Sequence, residues 1–143
     1  METVKTLNNL LSRNYDAEKG FQLVAEKTKN PVLKNYFEKN SRMHNKFGHE
    51  LKQEITHLGG KIDKGTSLEG DLHRGWLSVK AAVAGNTDEA LIEECERGQT
   101  TALEDYQSAV DELKSNPLSS KLATHKAEIV DVVNELKTLE LTA

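Results

Sequence analysis

The sequence has few of the residues that usually stabilise small or aromatic-rich domains. It contains one cysteine among 143 residues, so no disulfide can form within the chain, which fits a reducing compartment such as the cytoplasm. Aromatic residues make up 5% of the chain and hydrophobic residues 36%, both low for a compact α/β enzyme. No apolar run is long enough to span a bilayer, and the N-terminus has no signal-peptide core. These absences predict a cytoplasmic protein that has no membrane partner.

Charged residues are abundant, but the basic ones are dispersed along the chain. Charged residues make up 29% of the sequence, and the formal net charge is −4. Nucleic acids and anionic membranes bind proteins through a concentrated basic face. We therefore expect no nucleic-acid partner. A high charged fraction is instead typical of long helices that bury one stripe and expose a wide polar surface.

Proline is rare as well, and both prolines follow an asparagine, in Asn30-Pro31 and Asn116-Pro117. Asparagine caps the N-terminus of a helix well, and proline fits the first helical position, where its missing N–H costs nothing. Each pair therefore predicts the turn of a helical hairpin. Between the two pairs, Gly59-Gly60 predicts the end of a helix, since glycine adopts the left-handed C-cap conformation without strain.

Apolar residues recur at helical spacing through most of the chain, and there is no strand pattern. The predicted helices, A to D, cover about residues 3–29, 31–58, 88–115 and 118–141, with a short extra helix at about 70–84. Two short turns flank one long connection between helices B and C. If that connection crosses the bundle, B and C run parallel, which is the topology of ferritin-like bundles. We therefore predict one all-α domain over residues 1–143, a ferritin-like four-helix bundle with a long B–C crossover.

Several stretches of the sequence match a known family pattern in their order and spacing. They are DAEKGFQLVA at 16–25, LGG at 58–60, LHRGW at 72–76 and ECERG at 94–98, together with Tyr106 and Ala109. On these residues the chain resembles an uncharacterised bacterial family of ferritin-like four-helix-bundle proteins, a domain of unknown function. The resemblance implies the fold and no established activity. In proteins that look like this, the Arg-Gly pair is usually followed by Glu and Asp, whereas this chain has Gln99 and Thr100 there. We therefore expect no acidic role at that point of helix C.

Four polar residues lie at similar depth from one end of the predicted bundle: Glu18 on helix A, His44 on helix B, and His125 and Glu128 on helix D. Ferritin-like di-iron sites use Glu from two helices and Glu-x-x-His from the other two, all facing inward. These four residues are therefore the candidate ligands of iron or another divalent metal. The alternative is a hydrogen-bonded network that fixes the helix register. The one i,i+3 pair in the set has the reversed order His-x-x-Glu, which favours the network.

His73, Arg74 and Trp76 in the long connection are candidates for an anion or partner site. Arginine and helix N-termini both favour negatively charged groups. The alternative is a packing role, in which Trp76 covers the bundle and Arg74 pairs with Glu94 or Glu96. The sequence alone leaves both interpretations open.

Two further predictions concern helix C. Cys95 lies on its apolar stripe, which predicts a buried and unreactive thiol. Arg97 follows Glu93 by four residues, which allows an ion pair on the helix surface.

Two functional hypotheses remain from the sequence. The first is a non-catalytic helical protein, stress-associated, that acts through a homodimer or another protein partner. The second is a metal-binding, oxidative ferritin-like protein. The chain has one Glu-x-x-His, from Glu54 to His57 in the last turn of helix B, where a di-iron site needs two. The missing second motif and the presence of Gln99 favour the first hypothesis.

Overall fold

Four α-helices make up nearly all of the structure, a computed structural model that describes residues 2–63 and 87–142. They are α1 (Glu2–Lys27), α2 (Pro31–His57), α3 (Asp88–Glu112) and α4 (Leu118–Thr142). No strand occurs in these two ranges, which confirms the prediction of an all-α four-helix chain. The predicted helix at 70–84, and with it His73, Arg74 and Trp76, lies outside the described residues.

Both hairpin turns are capped by asparagine, as predicted. The Asn30 Oδ1 atom accepts hydrogen bonds from the backbone N–H groups of Val32 at 2.9 Å and Leu33 at 3.2 Å. The Asn116 Oδ1 atom accepts from the N–H of Leu118, also at 2.9 Å. These bonds satisfy N–H groups that have no partner inside the helix, so each asparagine stabilises the start of the helix that follows it.

The end of α2 needs glycine at two consecutive positions for two different reasons. Gly59 has φ of 72°, in the left-handed region. The N–H of Gly59 bonds to the carbonyl of Thr56, and that of Gly60 bonds to the carbonyl of Ile55, both at 2.9 Å. This pair of bonds is the Schellman motif. At Gly60 a Cβ atom would lie 2.6 Å from Cγ2 of Val4, so glycine here lets the turn approach α1 closely.

The segment after this turn is held against α1 by one buried side chain, Asn8. The Asn8 Nδ2 atom donates to the carbonyl of Lys61 at 2.9 Å, and the N–H of Asp63 donates to Asn8 Oδ1 at 3.0 Å. The Asn8 side-chain amide thus pairs with the backbone of residues 61–63 as a neighbouring backbone segment would. This pairing fixes the direction in which the chain leaves α2.

The helix directions follow from contacts between α1 and α3. Thr28, just after α1, donates to Asp88, the first residue of α3, at 2.7 Å. Nearer the middle, Arg13 donates to Asp105 at 2.6 Å. The two helices are therefore antiparallel, and since α1 and α2 form a hairpin, α2 and α3 run in the same direction, as predicted. The ferritin-like class itself stays a prediction, because the connection lies outside the described residues.

Two hydrophobic clusters fill the bundle, one toward each end. The predicted apolar stripes are buried in them, except for partly buried Val4 and Leu139 and for Leu58, which is 41% exposed. The cluster around the end of α2 includes Leu7, Leu10, Leu11, Phe47, Leu51, Ile55, Ala102 and Tyr106. The other cluster includes Phe21, Val24, Leu33, Phe37, Leu91, Ile92, Cys95 and Leu136. Polar side chains lie at the level where the clusters meet, and they form the candidate site.

Candidate functional site

Three buried polar side chains mark the boundary between the two clusters. They are Asn14 on α1, His44 on α2 and Gln99 on α3, each 1% exposed or less. Each one occupies a core position of its helix. Burying such a group is costly unless it is hydrogen-bonded, so their partners decide whether the position is tolerated.

The orientation of the Asn14 amide is set by a backbone carbonyl. Its Nδ2 atom donates to the carbonyl of Leu10 and to the hydroxyl of Tyr106, both at 2.9 Å. Because a carbonyl can only accept, the amide nitrogen must face Leu10, and the amide oxygen faces His44. Asn14 Oδ1 lies 2.7 Å from His44 Nδ1, so it accepts a hydrogen bond from that ring nitrogen.

This bond assigns the tautomer of His44. Nδ1 carries the proton, and Nε2 in the neutral ring is the acceptor. Gln99 lies next to Nε2, with its Nε2 atom at 2.9 Å and its Oε1 atom at 3.1 Å, so the amide N–H donates. Burial lowers the pKa of His44 from 6.5 to about 4. The ring is therefore neutral at neutral pH, as the assigned bonds require.

A second run of hydrogen bonds leads from Asn14 to the surface. The Tyr106 hydroxyl accepts from Asn14 and donates to His125 Nδ1 at 2.9 Å. His125 Nε2 then donates to Glu50 Oε1 at 2.8 Å. Burial lowers the pKa of His125, although the hydrogen bond to Glu50 opposes this shift. The side chain of His125 is 2% exposed and that of Glu50 is 28% exposed, so the run ends at solvent.

Aromatic rings hold both histidines in place. Phe47 stacks on His125 with ring centroids 3.9 Å apart and an interplanar angle of 15°. Phe21 stacks on His44 at 5.9 Å, and Phe47 meets the same ring edge-on at 5.8 Å. The rings therefore have little freedom to rotate away from their hydrogen-bond partners.

Six side chains from all four helices thus form one continuous set of hydrogen bonds, which we call the polar chain. Its members, in order, are Gln99, His44, Asn14, Tyr106, His125 and Glu50. Such a network fixes the register of the helices, since sliding one helix would leave buried groups unpaired. Chemically, the polar chain can orient protons but presents no open ring nitrogen.

The four predicted metal ligands are separated by this arrangement. His44 and His125 belong to the polar chain, whereas the Glu18 carboxylate accepts from Asn45 at 3.1 Å on the exposed side of α2. Glu128 is exposed, and only its charge acts on His125. Among the described residues, no three His, Cys, Asp or Glu side chains are grouped so that they could hold a metal ion. As placed, the donor set does not fit one divalent ion, and metal binding by these residues stays a prediction.

Four members of the polar chain were not predicted as site residues: Gln99, Asn14, Tyr106 and Glu50. Asn14 did carry a signal, because it lies four residues after Leu10 and three before Ala17, in the middle of an apolar stripe. Glu50 carried none, since it lies on a half-exposed position of α2 where a glutamate is ordinary. For Gln99 the sequence indicated only that it replaces an acidic residue usual in similar proteins.

A partly buried ion pair reinforces the contact between α1 and α3 beside the polar chain. The Arg13 side chain is 7% exposed, and its Nε atom donates to Asp105 Oδ2 at 2.6 Å. Asp16 lies on the same face of α1, with Oδ2 at 3.9 Å from Arg13 Nη1. Because Asp105 is 27% exposed, solvent screens the pair in part, and its contribution is to help hold the two helices in register.

Two predictions for the third helix have different outcomes. Cys95 is fully buried and burial raises the pKa of its thiol, which confirms the prediction of a buried cysteine, whereas its lack of reactivity stays a prediction. Arg97 does not form the pair with Glu93 that the spacing allows. Arg97 instead pairs with Glu94, whose Oε1 atom lies 3.3 Å from Arg97 Nε. Glu93 is exposed, whereas Glu94 is partly buried and bonds to Arg97.

Comparison with known proteins places the chain in a family and supplies no activity. None of the helices in the described ranges is long and apolar enough to cross a membrane. No curated protein and no solved structure matches the chain. One family pattern matches residues 2–112, which include α1, α2 and α3. Because this match covers well over half of the sequence, the chain belongs to the family described as a domain of unknown function, DUF2383.

Proposed function

We propose that this protein is a non-catalytic helical bundle that acts by associating with another protein surface, either a second copy or a separate partner. One observation supports this proposal: in the polar chain, the reactive side chains of the core are hydrogen-bonded to one another. His44 accepts at Nε2 from Gln99, and His125 accepts at Nδ1 from Tyr106. A ring nitrogen whose lone pair already accepts a hydrogen bond is not free to bind a metal ion or to take a proton from a substrate.

The finer parts of the proposal follow from the resemblance and from the helix directions. The parallel course of α2 and α3 supports the ferritin-like class. We expect the protein to act in the bacterial cytoplasm, in a role related to stress. It predicts that the protein becomes more abundant in stressed cells, which quantitative mass spectrometry of whole cells would measure.

Metal content tests the non-catalytic part of the proposal against its rival, an oxidative metal protein that uses Glu18, His44, His125 and Glu128. The chain is purified without tag or chelator, its metal content is measured by mass spectrometry, and Fe²⁺ is titrated under anaerobic conditions. We expect no stoichiometric metal and no saturable binding at micromolar Fe²⁺. Near-stoichiometric iron, manganese or zinc that is lost in His44→Ala would overturn the proposal.

Crosslinking tests the association part. Cells that make the protein are treated with a short lysine crosslinker, and the crosslinked peptides are identified by mass spectrometry. The same reaction on the purified chain separates self-association from a distinct partner. We expect reproducible crosslinks to one protein or to a second copy. A chain that stays monomeric at its cellular concentration and yields no intermolecular crosslink would contradict the proposal.

A further inference from the structure

The exposed charges of α2 all have the same sign. Its glutamates are half-buried, and every exposed side chain of this helix that carries a full charge at neutral pH is a lysine or an arginine. Lys39, Arg42 and Lys46 follow one another at intervals of three and four residues, so they lie within about 60° of one another around the helix. We call these three residues the basic stripe. It lies on the side of α2 opposite the buried residues Phe37 and His44.

The exposed charges of α3 have the opposite sign. This helix contains nine acidic residues and one basic residue, Arg97, which is half-buried and pairs with Glu94. Four exposed carboxylates share the side of α3 that lies opposite buried Cys95 and Ala102. We call them the acidic stripe: Glu89, Glu93, Glu104 and Asp111.

The two stripes lie on opposite edges of the bundle. α1 packs against both α2 and α3, and α4 packs against α3. α4 also bonds to α2, where Tyr36 donates to Glu135 and Lys121 donates to Glu54, both at 3.0 Å. Because α2 and α3 are therefore diagonal to each other, their outer sides face in opposite directions and the stripes cannot pair within one molecule. None of the seven stripe residues forms an ion pair with another residue in the described ranges.

We propose that this chain associates with copies of itself, the basic stripe of one copy docking on the acidic stripe of the next. The docking rests on the association proposed above and identifies the partner as a second copy. Complementary charges speed encounter and favour the orientation in which unlike charges meet. Because α2 and α3 run in the same direction, copies stacked in one orientation place the two stripes side by side.

The lengths of the stripes are compatible with this contact. At the rise of an α-helix, Lys39 to Lys46 covers about 10 Å and Glu93 to Glu104 about 16 Å, so the basic stripe fits within the acidic one. The contact is heterologous, since it joins two different surfaces. Each dimer therefore keeps one free basic stripe and one free acidic stripe, and further copies add until a ring closes.

The remaining charge of the molecule favours a second copy over a polyanion. Nucleic acid binding strengthens with each phosphate that a protein neutralises, and the basic stripe offers three charges on a chain of net charge −4. A second copy instead presents carboxylates that lack ion-pair partners, at the spacing of a helix.

Sedimentation velocity of the purified full chain tests the self-association. We expect the weight-average mass to rise with protein concentration in about 20 mM NaCl and to fall toward the monomer in about 500 mM NaCl, where the screening length is only about 4 Å. A chain that stays monomeric at every concentration in low salt would overturn the proposal.

Charge reversal identifies the surfaces. The triple change Lys39→Glu, Arg42→Glu and Lys46→Glu should weaken self-association about tenfold or more, since three exposed ion pairs are lost and three repulsions replace them. The matched control is the triple change of exposed lysines on α1, Lys5→Glu, Lys19→Glu and Lys27→Glu, which alters the net charge equally. We expect this control to associate as the parent does.

A compensating reversal separates pairing of the stripes from net charge. Glu89→Lys, Glu93→Lys and Glu104→Lys should also weaken self-association. A chain that carries both triple reversals has the parent's net charge and swapped stripes, so its self-association should return. Equal weakening by the α1 control, or no recovery in a folded double-reversed chain, would refute docking through these stripes.

The crosslinking of cells described above distinguishes failure of this inference from failure of the broader proposal. A monomeric purified chain that crosslinks in cells to a different protein would overturn self-docking and leave association intact. A monomeric chain with no intermolecular crosslink would contradict both.

Discussion

Acidification should destabilise this bundle through His44, and the structure sets both the sign and the size of the effect. Burial lowers the pKa of the ring from 6.5 to about 4, so the unfolded chain binds more protons than the folded chain between these two values. Stability is therefore fully present above about pH 6.5 and is lost as the pH falls toward about 4. The separation of the two pKa values corresponds to about 3 kcal/mol, of which about 2 kcal/mol should be lost between about pH 7 and about pH 4.5.

Urea unfolding followed by circular dichroism at several pH values measures this loss. The control is His44→Gln, which replaces the ring with an amide. The amide can still hydrogen-bond in the core, but it does not titrate. Other groups, including His125 with its lowered pKa, contribute in both proteins, so the difference between the two pH profiles isolates His44. Parallel profiles for the two proteins would refute the argument that a neutral, buried His44 makes folding sensitive to acid.

Three other predictions concern the turns and the thiol. Gly60→Ala should lower the free energy of unfolding by about 1–3 kcal/mol, because the new Cβ would lie 2.6 Å from Val4 Cγ2. Gly59→Ala should cost about 1–2 kcal/mol for a different reason, its φ of 72°, since apart from its chain neighbours nothing lies within 4 Å of its Cβ position. Thermal melting tests both, and an unchanged melting temperature in either variant would contradict its stated cause. Asn30→Ala should cost about 1 kcal/mol by removing a cap, and a urea midpoint equal to that of the parent would argue against this role. Cys95 should react with a thiol reagent only on unfolding, because it is buried and its pKa is raised, so rapid labelling of the folded chain would show that the site opens.

The helix ends could be predicted because they depend on neighbouring residues. Asn30 and Asn116 cap the N-termini of the helices that follow them, and Gly59 ends α2 by taking a positive φ. The common direction of α2 and α3 was expected on the condition that the long connection between them crosses the bundle. The Asn8 contact with residues 61–63 could not be predicted, since it joins residues far apart in sequence and depends on where the turn settles.

The candidate site was only half predictable. The positions of His44 and His125 on apolar stripes indicated that both rings are buried. The alternative to a metal site, a hydrogen-bonded network, describes the environment in which the structure places them. Their partners depend on the rotation and register of four helices, which the packing of the whole core determines. Glu18 shows the limit: it follows buried Ala17 by one residue, and that step of about 100° around the helix turns its carboxylate to the surface.

The contacts between α1 and α3 also bear on how the chain reaches this structure. The bonds from Arg13 to Asp105 and from Asn14 to Tyr106 each join residues 92 positions apart, whereas Tyr106 and His125 are 19 apart. Closing a long loop costs more entropy than closing a short one, so we expect each helical hairpin to form before the two dock. Pulse-labelling hydrogen exchange that shows docking before hairpin formation would exclude this order.

Misaligned docking would trap the Asn14 amide or the Tyr106 hydroxyl without a partner, at about 1–3 kcal/mol for each group. We therefore expect the polar chain to favour the one pairing of hairpins in which its donors and acceptors meet.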